Sequence, residues 1–161
     1  STGSLGQGLS CAVGMALAGK RDHKDYMVYA VVGDGEADEG QIWEAVMAAY
    51  RYHLDNLVVI IDNNGLQIDG TTDEIMPQLD LTKKFDAFGY DTYEIDGHNM
   101  EQIMETFDKI HAAKDGRPKF INAHTVKGKG VSYMENQLAW HGMAPNDEQY
   151  QQAMRELEEG I

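Results

Sequence analysis

Two apolar runs constrain this chain more than any other feature. "MVYAVV" fills residues 27–32 and "LVVII" fills residues 57–61. A strand in a sheet with one face in water alternates apolar and polar side chains. These runs do not alternate, which predicts strands covered on both faces, as in parallel sheets. Between them, residues 39–53 carry Ile42, Val46, Ala49 and Tyr50 at helical spacing, predicting an amphipathic helix. Strand, helix and strand in that order predict a parallel pair joined by a helical crossover.

The same grammar continues along the chain. A small-residue helix is predicted over residues 9–18, and a short helix over 81–88 ended by Gly89. Strands are predicted over 90–95 and, after Pro118, over 119–123. A helix over 100–113 should turn Ile103, Met104, Phe107 and Ile110 inward, and a polar helix over 147–158 has Asp147 as its expected N-cap. The expected fold class is α/β, a parallel β-sheet with helices on both faces, in a single domain spanning residues 1–161.

In such sheets ligands bind at the carboxyl ends of the strands. "GDG" (33–35), "DNNGLQIDG" (62–70) and "HTVKGKG" (124–130) each follow a predicted strand, so all three should share that edge. The connections after residues 61 and 123 are long and polar. Long loops inside a compact domain are usually functional or disordered.

Composition removes several function classes. Against 27 Asp and Glu there are 13 Lys and Arg, for a formal net charge of -14. That excess repels nucleic acid and anionic membranes, and neither is an expected partner. No run approaches the ~20 apolar residues of a membrane helix. The single cysteine, Cys11, cannot form an internal disulfide, which suits a reducing cytoplasm. Its small-residue setting predicts a packed core thiol. The opening "STGSLGQG" is glycine-rich and runs straight into a helix, which suggests a start inside a domain, with the amino-terminal part missing.

Alone, "GDG" and "DNNG" each read as ordinary turns. Their placement is more informative. Asp34 ends one strand and Asn63–Asn64 end the next, about thirty residues later. A carboxylate and an amide oxygen from adjacent strand ends suit a hard, oxygen-preferring cation, and a backbone carbonyl in the turn after Asn64 offers a third oxygen. Magnesium so held commonly completes its shell with water and phosphate oxygens. The flanking glycines allow close approach, and the helix starting near Glu39 adds its positive end.

"VVGDGEADEGQIWEA" followed by "IIDNNGLQIDG" resembles the thiamine diphosphate signature, GDG and then Asn about thirty residues on. "TGSLGQGLSCAVGMALA", "IDGHN" and "HTVKGKGVSYMEN…WHG" make the chain similar to transketolases, especially the amino-terminal subunit of split bacterial forms. The resemblance covers nearly the whole chain. It implies a diphosphate-binding domain with thiamine diphosphate and Mg2+ as cofactors. Asp34, Asn64 and the backbone oxygen of Leu66 would bind the metal. Gly35 and Asn64 would touch the diphosphate. Gly3, Ser4 and Leu5 would contact the cofactor, with Leu5 and Ile68 against its rings. Ser4 stands where the family often has proline. Glu39 resembles the acidic residue that couples two cofactor sites across a subunit interface, and His141 the histidine that reaches both diphosphate and substrate.

Plainer roles exist for several of these residues. Glu39 could serve a helix N-terminus, Leu5 and Ile68 could be core, and His141 could be a solvated loop histidine. His98 and His124, at strand ends, could line the site; Lys127 and Lys129 could meet a substrate phosphate. The glutamate and aromatic pocket that hold the cofactor's pyrimidine belong to another domain in this family. The resemblance therefore implies a pyrimidine-binding partner subunit or domain in a homo- or hetero-oligomer, and no activity without it. The implied reaction moves a two-carbon ketol unit from a ketose phosphate to an aldose phosphate, with the cofactor as electron sink. Dihydroxyacetone synthase and deoxyxylulose phosphate synthase share the cofactor, and a non-catalytic binding module is the alternative from another class.

Overall fold

A computed structural model describes residues 3–113 and 115–160. Ser1 and Thr2 of the opening motif lie outside the described residues. The elements run α1 (Gln7–Arg21), β1 (Val28–Gly33), α2 (Gly40–Arg51), β2 (Leu57–Asn63), a small hairpin of β3 (Leu66–Gln67) and β4 (Gly70–Thr71), α3 (Thr72–Ile75), α4 (Leu81–Ala87), β5 (Asp91–Asp96), α5 (Met100–Ala112), β6 (Lys119–His124) and α6 (Asp147–Glu159). Four strands form one parallel sheet in the order β1-β2-β6-β5. The fold class is α/β, a parallel sheet with helices on both faces.

The larger core lies between the sheet and α1, α2 and α4. Leu9, Ala12, Val13 and Ala16 from α1 meet Ile42, Ala45, Val46 and Ala49 from α2 over Val32, Leu57, Val59 and Ile61. Phe85 of α4 stacks on Phe120 of β6 with ring centroids 3.8 Å apart, and meets Tyr90 edge-on. Burying a side chain of this kind contributes about 1.5–3 kcal/mol. On the other face α5 packs Ile110 and Phe107 against Val58, Ile95 and Ile121. That cover does not reach all of β1, where Val31 is 70% exposed. Both runs of the sequence are strands, but only β2 has the two-sided burial their composition predicts.

Several expectations change in detail. Tyr50 and Met104 face solvent, because the buried stripe of α2 runs through Ile42, Ala45, Val46 and Ala49 and that of α5 through Thr106 and Ile110. Cys11 is exposed rather than packed, since α1 turns Leu9, Ala12, Val13 and Ala16 inward. The N-cap of α6 is Asn146, one residue before Asp147. Its side chain accepts from the Gln149 amide while the Gln149 side chain accepts from the Asn146 amide, a reciprocal capping box. The long connection after β2 is partly ordered as the β3–β4 hairpin, in which Leu66 pairs with Thr71 and Gln67 with Gly70 around a turn at Ile68–Asp69.

At the amino ends of the strands, Lys119 is fully buried. Its ammonium donates to Asp115 at 2.5 Å and to Asp91 at 3.3 Å, and Arg117 bridges the same two carboxylates. A buried charge needs such partners. This cluster sits at the edge opposite the loops that form the site.

Candidate functional site

Parallel register carries three loops to one edge: Gly33 lies beside Asp62, and Asn63 beside His124. The first turn is built around Asp34, which is 2% exposed. Its Oδ1 accepts from its neighbour Gly35 at 2.8 Å and its Oδ2 from Gly65, in the next loop, at 2.6 Å. Burial pushes the Asp34 carboxyl above the ordinary carboxylate range, the Gly65 and Gly35 amides pull it back, and the charge of Asp62 pushes it up again. Gly65 holds φ at +74°, a left-handed turn that glycine adopts without strain. The Asn64 side chain accepts from the Leu66 amide, closing that turn.

Two residues that sequence reasoning missed fix this turn. Gln78, 7% exposed, donates from its side chain to the carbonyl of Asp34 and to the Asp38 carboxylate. It arrives from the connection before α4, 44 residues away, and only its neighbouring Pro77 hints at a specific bend. Glu36 accepts from Gly6 at 2.9 Å and from Gly33 at 3.3 Å, tying the opening loop to the end of β1. The acidic "GEADE" run held this signal, but a run of carboxylates does not show which one bridges.

The loops enclose a cavity of about 480 Å³. Asp34, Gly35, Asn64, Leu66, Leu5, Ile68, Glu39 and His141 all line it, together with Gln67 and Lys127. Gly3 and Ser4 do not line it and are exposed beside Leu5. Leu5 and Ile68 are 46% and 65% exposed, so neither is core. The Glu39 side chain makes no capping hydrogen bond at the start of α2. Lys127 Nζ lies 3.4 Å from His141 Nδ1, which brings a cation and an imidazole together at the cavity wall. Lys129 pairs instead with Glu135. His124 pairs with Glu94 at 2.6 Å, and His98 accepts from the Val126 amide while lining a neighbouring cavity with Asp62, Asn64 and Lys127.

The donor set fits a hard cation and a polyanion bound together. Asp34, Glu36, Asp38, Glu39, Asp62 and Asp69 line the cavity, facing one lysine and one histidine. Such a wall repels a bare anion, and a divalent cation between wall and anion removes that repulsion. The Gln67 side-chain nitrogen is buried at this wall without a hydrogen-bond partner among the described residues. An unpaired buried donor is costly, and an anion oxygen would satisfy it. Gly35 keeps the space open: a Cβ there would stand 2.8 Å from Gln67.

The transketolase thiamine diphosphate-binding domain family matches residues 1–158. An apulose-4-phosphate transketolase subunit of Phocaeicola vulgatus is 50% identical over 161 residues, covering 100% of this chain and 57% of that relative. The "6-deoxy-6-sulfo-D-fructose transketolase subunit SqwG" of a Clostridium species is 48% identical, covering 98% of this chain and 57% of that relative. This chain thus spans little more than half the length of these relatives. The crystal structure of transketolase from Campylobacter jejuni superposes with a TM-score of 0.90 at 30% identity, over 98% of this chain and 26% of that one. The chain belongs to the transketolase family, in its thiamine diphosphate-binding domain.

Proposed function

We propose that this chain is the diphosphate-binding half of a two-chain transketolase, dependent on thiamine diphosphate and magnesium, that moves a two-carbon ketol unit from a ketose phosphate to an aldose phosphate. The observation that carries the reading is the cavity wall, where Asp34, Asn64 and Leu66 meet at adjacent strand ends beside the unpaired Gln67 amide. Asp34, the Asn64 side chain and the Leu66 carbonyl would hold the metal, six carboxylates making a divalent cation a condition of anion binding. Gly35 and Asn64 would meet the diphosphate. Gly3, Ser4 and Leu5 would flank the cofactor, with Leu5 and Ile68 presenting apolar surface to its rings.

When bound, thiamine diphosphate supplies an electron sink for the carbanion left when a carbon–carbon bond breaks. His141, with Lys127 beside it, would donate a hydrogen bond to the substrate or to the diphosphate. Glu39, at the start of α2 with its side chain uncapped, would contact the second subunit. The single domain over residues 1–161 contributes no pyrimidine pocket in this reading, so a pyrimidine-binding partner chain completes the site and no turnover occurs without it. The names of the two relatives, each a transketolase subunit, support a partner; their substrates, apulose 4-phosphate and a sulfofructose, support an anionic sugar. Among the described residues no helix is long and apolar enough to cross a membrane, and the lone cysteine suits the cytoplasm.

Calorimetric titration of thiamine diphosphate with magnesium tests this, using the chain alone and mixed with a pyrimidine-binding transketolase subunit. Binding that requires both magnesium and the partner is expected. Equal binding without magnesium, or ketol transfer by the chain alone, would overturn the reading.

A further inference from the structure

Lys127 and His141 lie 14 residues apart within one long connection, residues 125–146, between β6 and α6. The connection folds on itself. The Asn136 amide donates to the Lys127 carbonyl at 2.9 Å, and Gly128, at φ +73°, lets the chain pass close to the Met134 carbonyl. Toward the sheet it is tied by the Thr125 amide to the Asn63 carbonyl at 3.1 Å. Away from the sheet it is tied to α6, chiefly through one residue. Glu156 Oε2 accepts from the Ser132 amide at 2.6 Å, and Oε1 accepts from the Ser132 hydroxyl at 2.7 Å. Gln152 donates to the same Oε1 at 2.7 Å, which fixes the rotamer of the carboxylate. Next to Ser132, the Tyr133 hydroxyl donates to the Gln149 carbonyl of α6 at 2.7 Å. Tyr133 in turn holds Trp140: the indole donates to the Tyr133 carbonyl at 3.0 Å and the rings lie 5.2 Å apart. His141 follows Trp140 directly.

We propose that Glu156 is a positioning residue. By clasping Ser132, and through it the Tyr133–Trp140 pair, it holds the connection so that Lys127 and His141 face the cavity. This rests on the reading that the cavity takes thiamine diphosphate. An exposed clasp adds little to global stability, since water competes for every bond. Its effect should therefore fall on loop geometry rather than on unfolding. Neither Glu156 nor Ser132 lines the cavity, so their influence on a ligand must pass through the loop.

The chain has two tryptophans, and Trp43→Phe leaves Trp140 as the sole reporter beside His141. In that background Glu156→Ala, Glu156→Gln and Ser132→Ala are compared with Glu158→Gln, an exposed control on the same helix. Three readings are taken: Trp140 emission and acrylamide quenching, melting temperature, and magnesium-dependent titration of thiamine diphosphate in the presence of the partner subunit. Glu156→Ala should shift Trp140 emission to longer wavelength, raise quenching, and weaken cofactor binding about tenfold, the loss of roughly one charge-assisted contact. Its melting temperature should stay near that of the control. Glu156→Gln, which keeps an acceptor oxygen, should recover part of the affinity. Unchanged Trp140 emission in Glu156→Ala overturns the proposal, as does changed emission with unchanged affinity. A lowered melting temperature with unchanged affinity of the folded fraction would show a merely structural contact and overturns it too. If the parent chain with partner and magnesium fails to bind thiamine diphosphate, the cofactor reading itself falls, and the positioning role with it.

Discussion

Asp34 and Gly65 stand 31 residues apart in the chain, and the Gly65 amide donates to Asp34 Oδ2 at 2.6 Å. This bond joins the ends of two neighbouring parallel strands and fixes the carboxylate beside Asn64 and Leu66. It also leaves Asp34 shielded from water and close to Asp62, an arrangement that raises the free energy of the charged carboxylate.

Replacing Asp34 with Ala should therefore abolish magnesium-dependent cofactor binding. The loss in affinity should exceed the ~10–100-fold typical when a group one shell outside a metal's ligands is changed. Calorimetry with the partner subunit present reads it directly; retained affinity would place the metal elsewhere.

Gln78→Leu should destabilise the fold by about 1–3 kcal/mol, because the Asp34 carbonyl and the Asp38 carboxylate lose a buried donor. Urea unfolding of wild type and variant measures the difference. A change under about 0.5 kcal/mol, the range of an ordinary surface substitution, would mean that water replaces the amide.

Phe85→Ala removes a fully buried ring stacked on Phe120 and should cost about 3–5 kcal/mol. The denaturant midpoint should fall with the slope unchanged, showing a lost core contact rather than a changed unfolded state.

Acid should weaken the Lys119 cluster. Burial opposes ionisation of Asp115, but the Lys119 hydrogen bond, the Arg117 amide and the Lys119 charge outweigh it and hold the carboxyl at about 2, below its ordinary 3.8. A depressed folded value means that the contribution is complete above about pH 4 and is lost as pH falls toward about 2. The stability gap between wild type and Asp115→Asn, measured by urea unfolding at several pH values, should be constant above about pH 4 and close below it. A gap that does not change with pH would show that the ion pairs contribute nothing.

Much of the site was legible because its donors are carried by strand ends. Where two strands are parallel and adjacent, the residues after them must share an edge, so "GDG" and "DNNG" predicted their own proximity. Gln78, Glu36 and Gln67 were not legible. Gln78 and Glu36 each act through a contact across tens of residues that no local pattern encodes, Gln67 is set apart only by its burial at the cavity wall, and glutamine and glutamate are common in loops. Cys11, Tyr50 and Met104 were misplaced for a related reason. Apolar spacing gives the width of a helix stripe, but the rotation of the helix against its neighbours decides which edge of the stripe is buried.

The sequence by itself determined the order of the four sheet strands and the longer helices, the parallel sheet, and the edge on which the loops gather, because periodicity and chain connectivity are local and restrict topology strongly. Tertiary structure alone decided which carboxylate binds which amide, that Lys127 meets His141, and that Glu156 holds their loop from the helix that follows it. Those contacts depend on the distance and angle between packed elements, which arise only when the whole core closes.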